Sequence, residues 1–394
     1  MAATGVQDSA TIVNNLISDY YRSAADLAPD RISEREFGVG NYDIKIAQRH
    51  MSFPSERELR NYLSANSVPY VSASAAYYRF PSARPMDRKG WLGSELVFDL
   101  DVTDMDLACQ RSHGKSWVCA ICFDEVRKET ARLIYDFLIP DFGFSESEIK
   151  VNFSGNRGYH VHVSSADILK LGAAARREIT AYISGSGIEF GDLFRVGSYA
   201  TASDRAGKKL LGPRPTDLGW KGKVAKKFTE SLNAGIDSLV QIGLDREIAT
   251  KIYRKKELMK LGLNSGNWDM IAGIKSKEQV WKRMLETMAI AQGDRIDSNV
   301  TNDPSHLLRL ANSIHGGTGL IAKKLRSPRE LYRFDPTKDA IAFRKGFATI
   351  DANTTFELRM NGQKFGPYGG RIRVPIYVAA YLYLKGYAKI AAVE

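Results

Sequence analysis

Apolar positions change their spacing several times along the 394 residues. Residues 11–30 place Ile12, Val13, Leu16, Ile17 and Tyr20 on one helical face. Residues 55–65 predict a second helix, with Ser55 as N-cap and Glu58 three residues on. A strand-like run follows from Val68 to Arg79. Residues 95–101, ELVFDLD, alternate at period two. Helical spacing returns over 124–138 at Val126, Leu133, Ile134 and Phe137. Two short strands, Lys150–Phe153 and Tyr159–Val163, then flank a glycine turn. From about 167 to 290 the pattern is mainly helical and rich in lysine, over Ala173–Ile183, Val224–Leu239, Asp245–Met259 and Glu278–Ile290. Strand-like runs recur at Arg295–Val300 and near 341–347, 355–360 and 371–375, before a closing helix, Val374–Lys385. The expected fold is α/β. A mixed-sheet core is built from residues 1–166 and 291–394, and a mainly helical segment, 167–290, is inserted between them.

Composition narrows the class. Hydrophobic residues make up 44% and charged residues 26%, a globular mix. No apolar run approaches the roughly 20 residues that span a bilayer. The start, MAATGVQDSATIVNN, has neither a basic opening nor a long apolar stretch, so the expectation is an intracellular protein with no membrane partner. Net charge is +11. Lysine and arginine bind phosphates by releasing counterions, so a polyanionic partner fits, with the Lys221–Lys227 stretch as one contact surface. A solvated helix face would look the same. Three cysteines exclude a disulfide scaffold, and all lie between positions 109 and 122.

Asp99 and Asp101 sit at i and i+2 of a predicted strand, so both carboxylates share a face with Glu95 and Val97. Neighbouring carboxylates resist ionising together unless a cation compensates. Hard oxygen ligands suit Mg²⁺ or Mn²⁺. A strand running into an acidic turn is the plain alternative, since Asp104 and Asp106 follow. Asp297 is a candidate third ligand, on an alternating run with Arg295 and Asn299; a surface ion pair with Arg295 is its alternative. The pattern Cys109-x3-His113-x5-Cys119-x2-Cys122 offers the four ligands of a closed structural Zn²⁺ site. Three buried thiols and a surface histidine are the bland reading. Three cysteines do not make an all-cysteine iron–sulfur site.

Residues 151–163, VNFSGNRGYHVHV, place Ser154, Gly155, Asn156, Arg157 and Gly158 in a turn. Consecutive N–H groups there can form an anion nest, and Arg157 adds a planar fork for phosphate oxygens. His160 and His162 share a strand face, and His162 is read as a packed or surface side chain. A plain hairpin would look similar. A second basic turn, HLLRLANSIHGGTG over 306–319, brings Arg309 and His315 beside Gly316, Gly317 and Gly319; a helix end and glycine loop is the alternative. No G-x-x-x-x-G-K-[ST] run occurs.

The order of these motifs is more specific than any one of them. ELVFDLD, the Cys/His cluster, SGNRGYH, RIDSNVTNDPSHLLR and SIHGGTG together resemble the small, catalytic subunit of archaeal and eukaryotic DNA primases. REFGVG and QRHMSF (35–40 and 48–53) and KGWLGSELVFDLD are similar to the same family. The resemblance covers most of residues 15–325. It implies a primase catalytic core with a zinc module at about 104–125. Asp99, Asp101 and Asp297 would hold the catalytic metals. Ser154, Arg157, His160, Arg295, Arg309 and His315 would bind the triphosphate, and Glu36 and Arg49 would line the nucleotide site. Eukaryotic members carry arginine at the position of Asn156, which weakens phosphate contact there. Zinc ligands vary across the family, which bears on His113.

The implied activity is primer synthesis on a single-stranded DNA template from nucleoside triphosphates, by two-metal nucleotidyl transfer. The implied partner is a large subunit carrying an iron–sulfur cluster. The compartment would be the cytoplasm in an archaeon and the nucleus in a eukaryote. Rival readings are a repair or end-joining polymerase of the same superfamily, a non-catalytic zinc-containing nucleic-acid-binding protein, and a metal-dependent nuclease.

Overall fold

The computed structural model of the chain describes residues 8–200, 206–270, 274, 277–293 and 297–394. These form two units. The first comprises Met1–Ala131, Phe144–Arg177 and Asp297–Glu394, and the second Arg132–Gly143 and Glu178–Ile296.

In the first unit, helix α1 (Ser9–Ser23) packs on α2 (Glu56–Ala65). Helix α1 stops short of the expected residue 30, because Ala24 is already extended and Asp26 takes φ 56°. Helix α2 begins where expected: Ser55 Oγ accepts the Glu58 N–H at 3.3 Å, satisfying one open donor of the first turn. Strands β1 (Phe37–Gly40), β2 (Gln48–Met51) and β3 (Tyr70–Ser74) follow. The run expected as one strand from Val68 to Arg79 is broken. At Ala75 the backbone changes partners: its N–H donates to His306 O (3.3 Å) and its carbonyl accepts from Glu95 N–H (3.1 Å). Residues 76–78 then pair with 91–94.

Strand β4 (Leu96–Asp101) is the ELVFDLD run. Leu96, Phe98 and Leu100 are buried on one face, each side chain contributing about 1.5–3 kcal/mol. Asp99 and Asp101 open to the other face. With β5 (Ile149–Phe153) and β6 (Gly158–Val163), β4 forms an antiparallel sheet in the order β4-β6-β5. Helix α3 (Ala120–Arg132) leaves the cysteine-rich loop.

The alternating run at 295–300 is not a strand where it is described. Asp297 is the N-cap of a short helix, α4 (Ser298–Asn302), which packs along β4. Strand β7 (Leu307–Arg309) joins the first sheet at its edge, in the order β7-β3-β1-β2. The expected strand near 341–347 reduces to a single bridge from Ile341 to Leu320. A third sheet has the order β9-β8-β10, from β8 (Phe347–Thr354), β9 (Tyr368–Pro375) and β10 (Ala388–Val393). Helix α5 (Ile376–Leu384) packs on it.

The second unit is mostly helical, over 219–234, 236–241, 246–254, 256–265 and 277–293. Its core gathers Phe228, Trp268 and Trp281, with ring centroids 4.9–5.4 Å apart. It also holds an antiparallel hairpin, 195–200 with 206–211, that helical periodicity did not suggest. Within the Lys221–Lys227 stretch, Lys223 is paired with Asp141 at 2.5 Å and is not free for a polyanion. Among the described residues no helix is long and apolar enough to cross a membrane.

Candidate active site

Strand β6 lies antiparallel to β4, with Asp99 opposite His160 and Asp101 opposite Gly158. Directly opposed residues share a sheet face. His160 Nε2 therefore stands 3.6 Å from Asp99 Oδ1, and Arg157 Nε stands 3.3 Å from Asp101 Oδ1. Asp297 arrives from almost two hundred residues away. Its N–H donates to Asp99 O at 3.2 Å, and its Oδ1 accepts the Asn299 N–H at 2.9 Å, capping α4. Thr301 holds that helix down by donating to Val97 O at 2.6 Å.

Burial, and then the charges of Asp101, Asp297 and Asp104, push the Asp99 carboxyl up to about 7, while Lys45 pulls it back. Asp104 is raised by burial and by Asp101 and Asp297. Four carboxylates thus crowd together, partly offset by Arg157, Lys45 and Lys115, and their hard oxygens fit Mg²⁺ or Mn²⁺. Their spacing is looser than a closed cage. Among the described residues, only the Cys/His set brings its ligand atoms within 4.8 Å of one another.

The two basic turns meet. Gly155 has φ +80°, and a Cβ there would lie 2.8 Å from His315 Cβ, so only glycine permits this approach. Thr318 Oγ1 donates to Gly155 O at 2.6 Å. Helix α1 fixes the same loop: Tyr20 OH donates to Asn312 O (2.6 Å), and Tyr21 OH accepts the Ile314 N–H (3.2 Å). The anion nest is not formed. The N–H groups of Asn156, Arg157 and Gly158 all turn inward to Ser154 Oγ, at 3.4, 3.3 and 3.0 Å. An anion would meet the side chains of this turn instead, including the Ser154 hydroxyl proton.

His315 Nδ1 accepts the Gly317 N–H at 3.2 Å, which leaves the ring proton on Nε2. Burial, then Arg309, Lys45, Lys385 and Arg157, hold its pKa well below the ordinary value. His160 is depressed to about 3, by burial first and then by His162, Arg309 and His306. Arg309 stacks on Tyr70, 4.7 Å from the ring centroid, and its Nη1 is buried without a partner. Burial lowers its pKa to about 10. A buried, unpaired guanidinium edge is suited to an anion. Arg295 lies outside the described residues.

Glu36 is wholly buried and acts as a hub. Its Oε1 accepts from Arg49 Nε and His50 N–H, both at 3.1 Å, and its Oε2 lies 3.4 Å from the buried Lys89 ammonium. Glu36 thus orients Arg49, which is 40% exposed and is the member free to meet a ligand. A second buried hub centres on Glu95. Arg35 Nη2 and Tyr77 OH donate to its Oε1 at 2.6 and 2.8 Å, and His162 Nδ1 to its Oε2 at 2.9 Å. His162 is thus a packed, anchored side chain.

Cys109, His113, Cys119 and Cys122 come together. Cys122 Sγ lies 3.5 Å from Cys109 Sγ, 3.7 Å from Cys119 Sγ and 3.6 Å from His113 Nε2. His113 Nδ1 is 2.8 Å from Gly114 O. Donation there places the Nε2 lone pair towards the thiols, the orientation a zinc ligand requires. Cys119 is pulled down to about 7, where backbone N–H and His113 hydrogen bonds outweigh burial.

A model of the DNA primase small subunit family matches residues 98–327. DNA primase small subunit PriS of Methanosarcina barkeri is 33% identical, over 97% of this chain and 96% of the relative. Its namesake in Methanococcoides burtonii is 33% identical over 94% and 96%, and that of Thermoplasma volcanium 31% over 95% and 95%. The chain belongs to the DNA primase small subunit family.

The structure places further charged groups beside these residues that the motifs did not reveal. The Lys45 charge bears on both Asp99 and His315. Lys385, just past α5, reaches the SGNRG turn. Asp104, read as part of an acidic turn, joins the carboxylate group. For Glu95 a sequence signal existed: it shares the strand face of Asp99. For Lys385 there was none.

Proposed function

We propose that this chain is the catalytic subunit of a DNA primase, joining nucleoside triphosphates into short primers on single-stranded DNA. The observation that carries the reading is the meeting, in one unit, of the Asp99, Asp101 and Asp297 segments with the cationic turns around Arg157 and His315. Asp99, Asp101 and Asp297 would hold two Mg²⁺ or Mn²⁺ ions, which when bound supply an activated 3′-hydroxyl and charge neutralisation at the departing pyrophosphate. The protein's own groups position and stabilise. Arg157, Arg309 and the Ser154 hydroxyl bind the triphosphate oxygens, where charge accumulates as the bond to the α-phosphorus breaks. His315, kept neutral by burial and surrounding cations, donates from Nε2. His160, neutral for the same reason, orients Asp99. Glu36 fixes Arg49 at the nucleotide's edge. Zn²⁺ at Cys109, His113, Cys119 and Cys122 is structural. The partners are a large subunit that carries the iron–sulfur cluster, the template strand and the nucleotides.

Incorporation of labelled nucleotides on single-stranded DNA tests this, each nucleotide type separately. The Asp99→Ala/Asp101→Ala variant is expected to keep its circular dichroism and lose synthesis. Primer extension by that variant would sink the proposal. Extension of existing ends without any start from free nucleotides would favour the repair polymerase reading.

A further inference from the structure

Four cations bear on His315, and two of them, Arg157 and Arg309, belong to the phosphate-binding turns already described. A third, Lys385, comes from the opposite end of the chain, in the residue that ends α5. That helix is firmly set, with Ile376, Val378, Ala379 and Leu382 buried. Tyr381, one turn before Lys385, packs edge-on against Trp117 at 6.2 Å. Lys385 is therefore held in place over the SGNRG turn.

Its ammonium is poorly matched there. Lys385 Nζ lies 3.4 Å from Ser116 O and 3.5 Å from Asn156 Oδ1, two neutral oxygens at the long end of hydrogen bonding. An ammonium has three donors and is best served by charged acceptors. The neighbouring carbonyl, Lys115 O, takes Arg157 Nη1 at 3.3 Å. Successive carbonyls of the Cys/His loop thus hold two cations side by side. Burial and the Arg157 charge lower Lys385 to about 8. Arg157 has Asp101 at 3.3 Å as a counter-charge, while among the described residues Lys385 has no carboxylate partner, so a polyanion lying between the two cations would relieve their repulsion.

We propose that Lys385 binds the triphosphate of the incoming nucleotide beside Arg157, filling with its ammonium the space at the neutral Asn156. This assignment rests on the primase reading of the site. Lys385→Met keeps the aliphatic stem and removes the charge. In titrations with a fluorescent nucleoside triphosphate, with Mn²⁺ and without it, Lys385→Met should raise Kd roughly ten- to a hundred-fold, the range for losing a charged hydrogen bond. KM should rise in parallel while kcat at saturation stays within a few-fold. Lys385→Arg should retain binding. Asn156→Arg, placed on the Lys385→Met background, should recover it by supplying a guanidinium to the same space. A merely structural tie to Ser116 O predicts no such second-site recovery. Unchanged binding in Lys385→Met would overturn the assignment, as would a loss that neither arginine variant recovers. Nucleotide binding through Lys385 by a chain that makes no primer would uphold this assignment and defeat the primase reading.

Discussion

Replacing Glu95 by glutamine tests how the first sheet is locked to the carboxylate strand. Glu95 is buried, and burial alone would push its carboxyl up, but Arg35 and His162 outweigh that and hold it below the ordinary carboxylate range. Glutamine keeps the volume and one acceptor, yet leaves the buried Arg35 guanidinium without its counter-charge. Breaking a buried pair in this way costs about 3–5 kcal/mol. Arg35 keeps its bonds to Ser74 O (2.6 Å) and Asp30 O (2.8 Å), so the low end, about 3 kcal/mol, is expected at pH 7.

The sign of the pH dependence follows from the depressed carboxyl. The stabilisation is fully present above the unfolded pKa of about 4.3 and is lost as pH falls towards the folded value. By pH 3 about 2 kcal/mol of it is gone, at 1.36 kcal/mol per unit. The gap between parent and Glu95→Gln should therefore narrow from about 3 to about 1 kcal/mol between pH 7 and pH 3. Urea titrations read by hydrogen exchange at β3 and β4 amides suit a two-unit chain, which need not unfold in one step. Equal stability at pH 7, or a gap that widens on acidification, would refute the reasoning.

Gly155→Ala should weaken nucleotide binding and cost about 1–3 kcal/mol, because the site combines φ +80° with a 2.8 Å approach to His315 Cβ; nucleotide titration and thermal melting check it. Disabling the Cys/His site by Cys119→Ser should raise KM for nucleotide more than it lowers kcat. The loop it pins carries Lys115 O and Ser116 O, which orient Arg157 and Lys385. His113→Ala should reduce zinc content measured by colorimetric release from the unfolded protein, since His113 Nε2 faces the thiols. Full zinc retention would remove it from the ligand set.

What could be read from the sequence was local. ELVFDLD alternates because one face of β4 must be buried, and the same alternation puts both aspartates on the other face. Ser55 announced its helix through hydroxyl-to-N–H chemistry confined to one turn. The run at 295–300 misled, because Ile296 and Val300 mimic a strand. An aspartate followed by Ser-Asn-Val-Thr is also an N-cap and first turn, and Asp297 takes that role. Val68–Arg79 read as one strand because the apolar pattern does not mark the partner change at Ala75, which depends on His306 and Glu95.

The residues that would close the proposed nucleotide site belong to a different category. Lys385 meets Asn156 across 229 residues of chain, and Asn312 meets Tyr20 across 292. Neither pair leaves a spacing or period in the sequence. Each is set by how α5 and α1 dock, which is decided by side chains such as Ile376 and Ile17 that carry no chemistry. Asp99 and Asp101 share a face because a strand presents them at i and i+2, while the cations that would balance a triphosphate are delivered by elements from both chain ends. The two halves touch where Arg157 meets Asp101 and His160 meets Asp99, so their effects separate by degree. Changes in α5 should move nucleotide affinity more than they move the carboxylate group. Changes at Asp99 or Asp101 should stop chemistry and leave affinity for metal-free triphosphate largely intact.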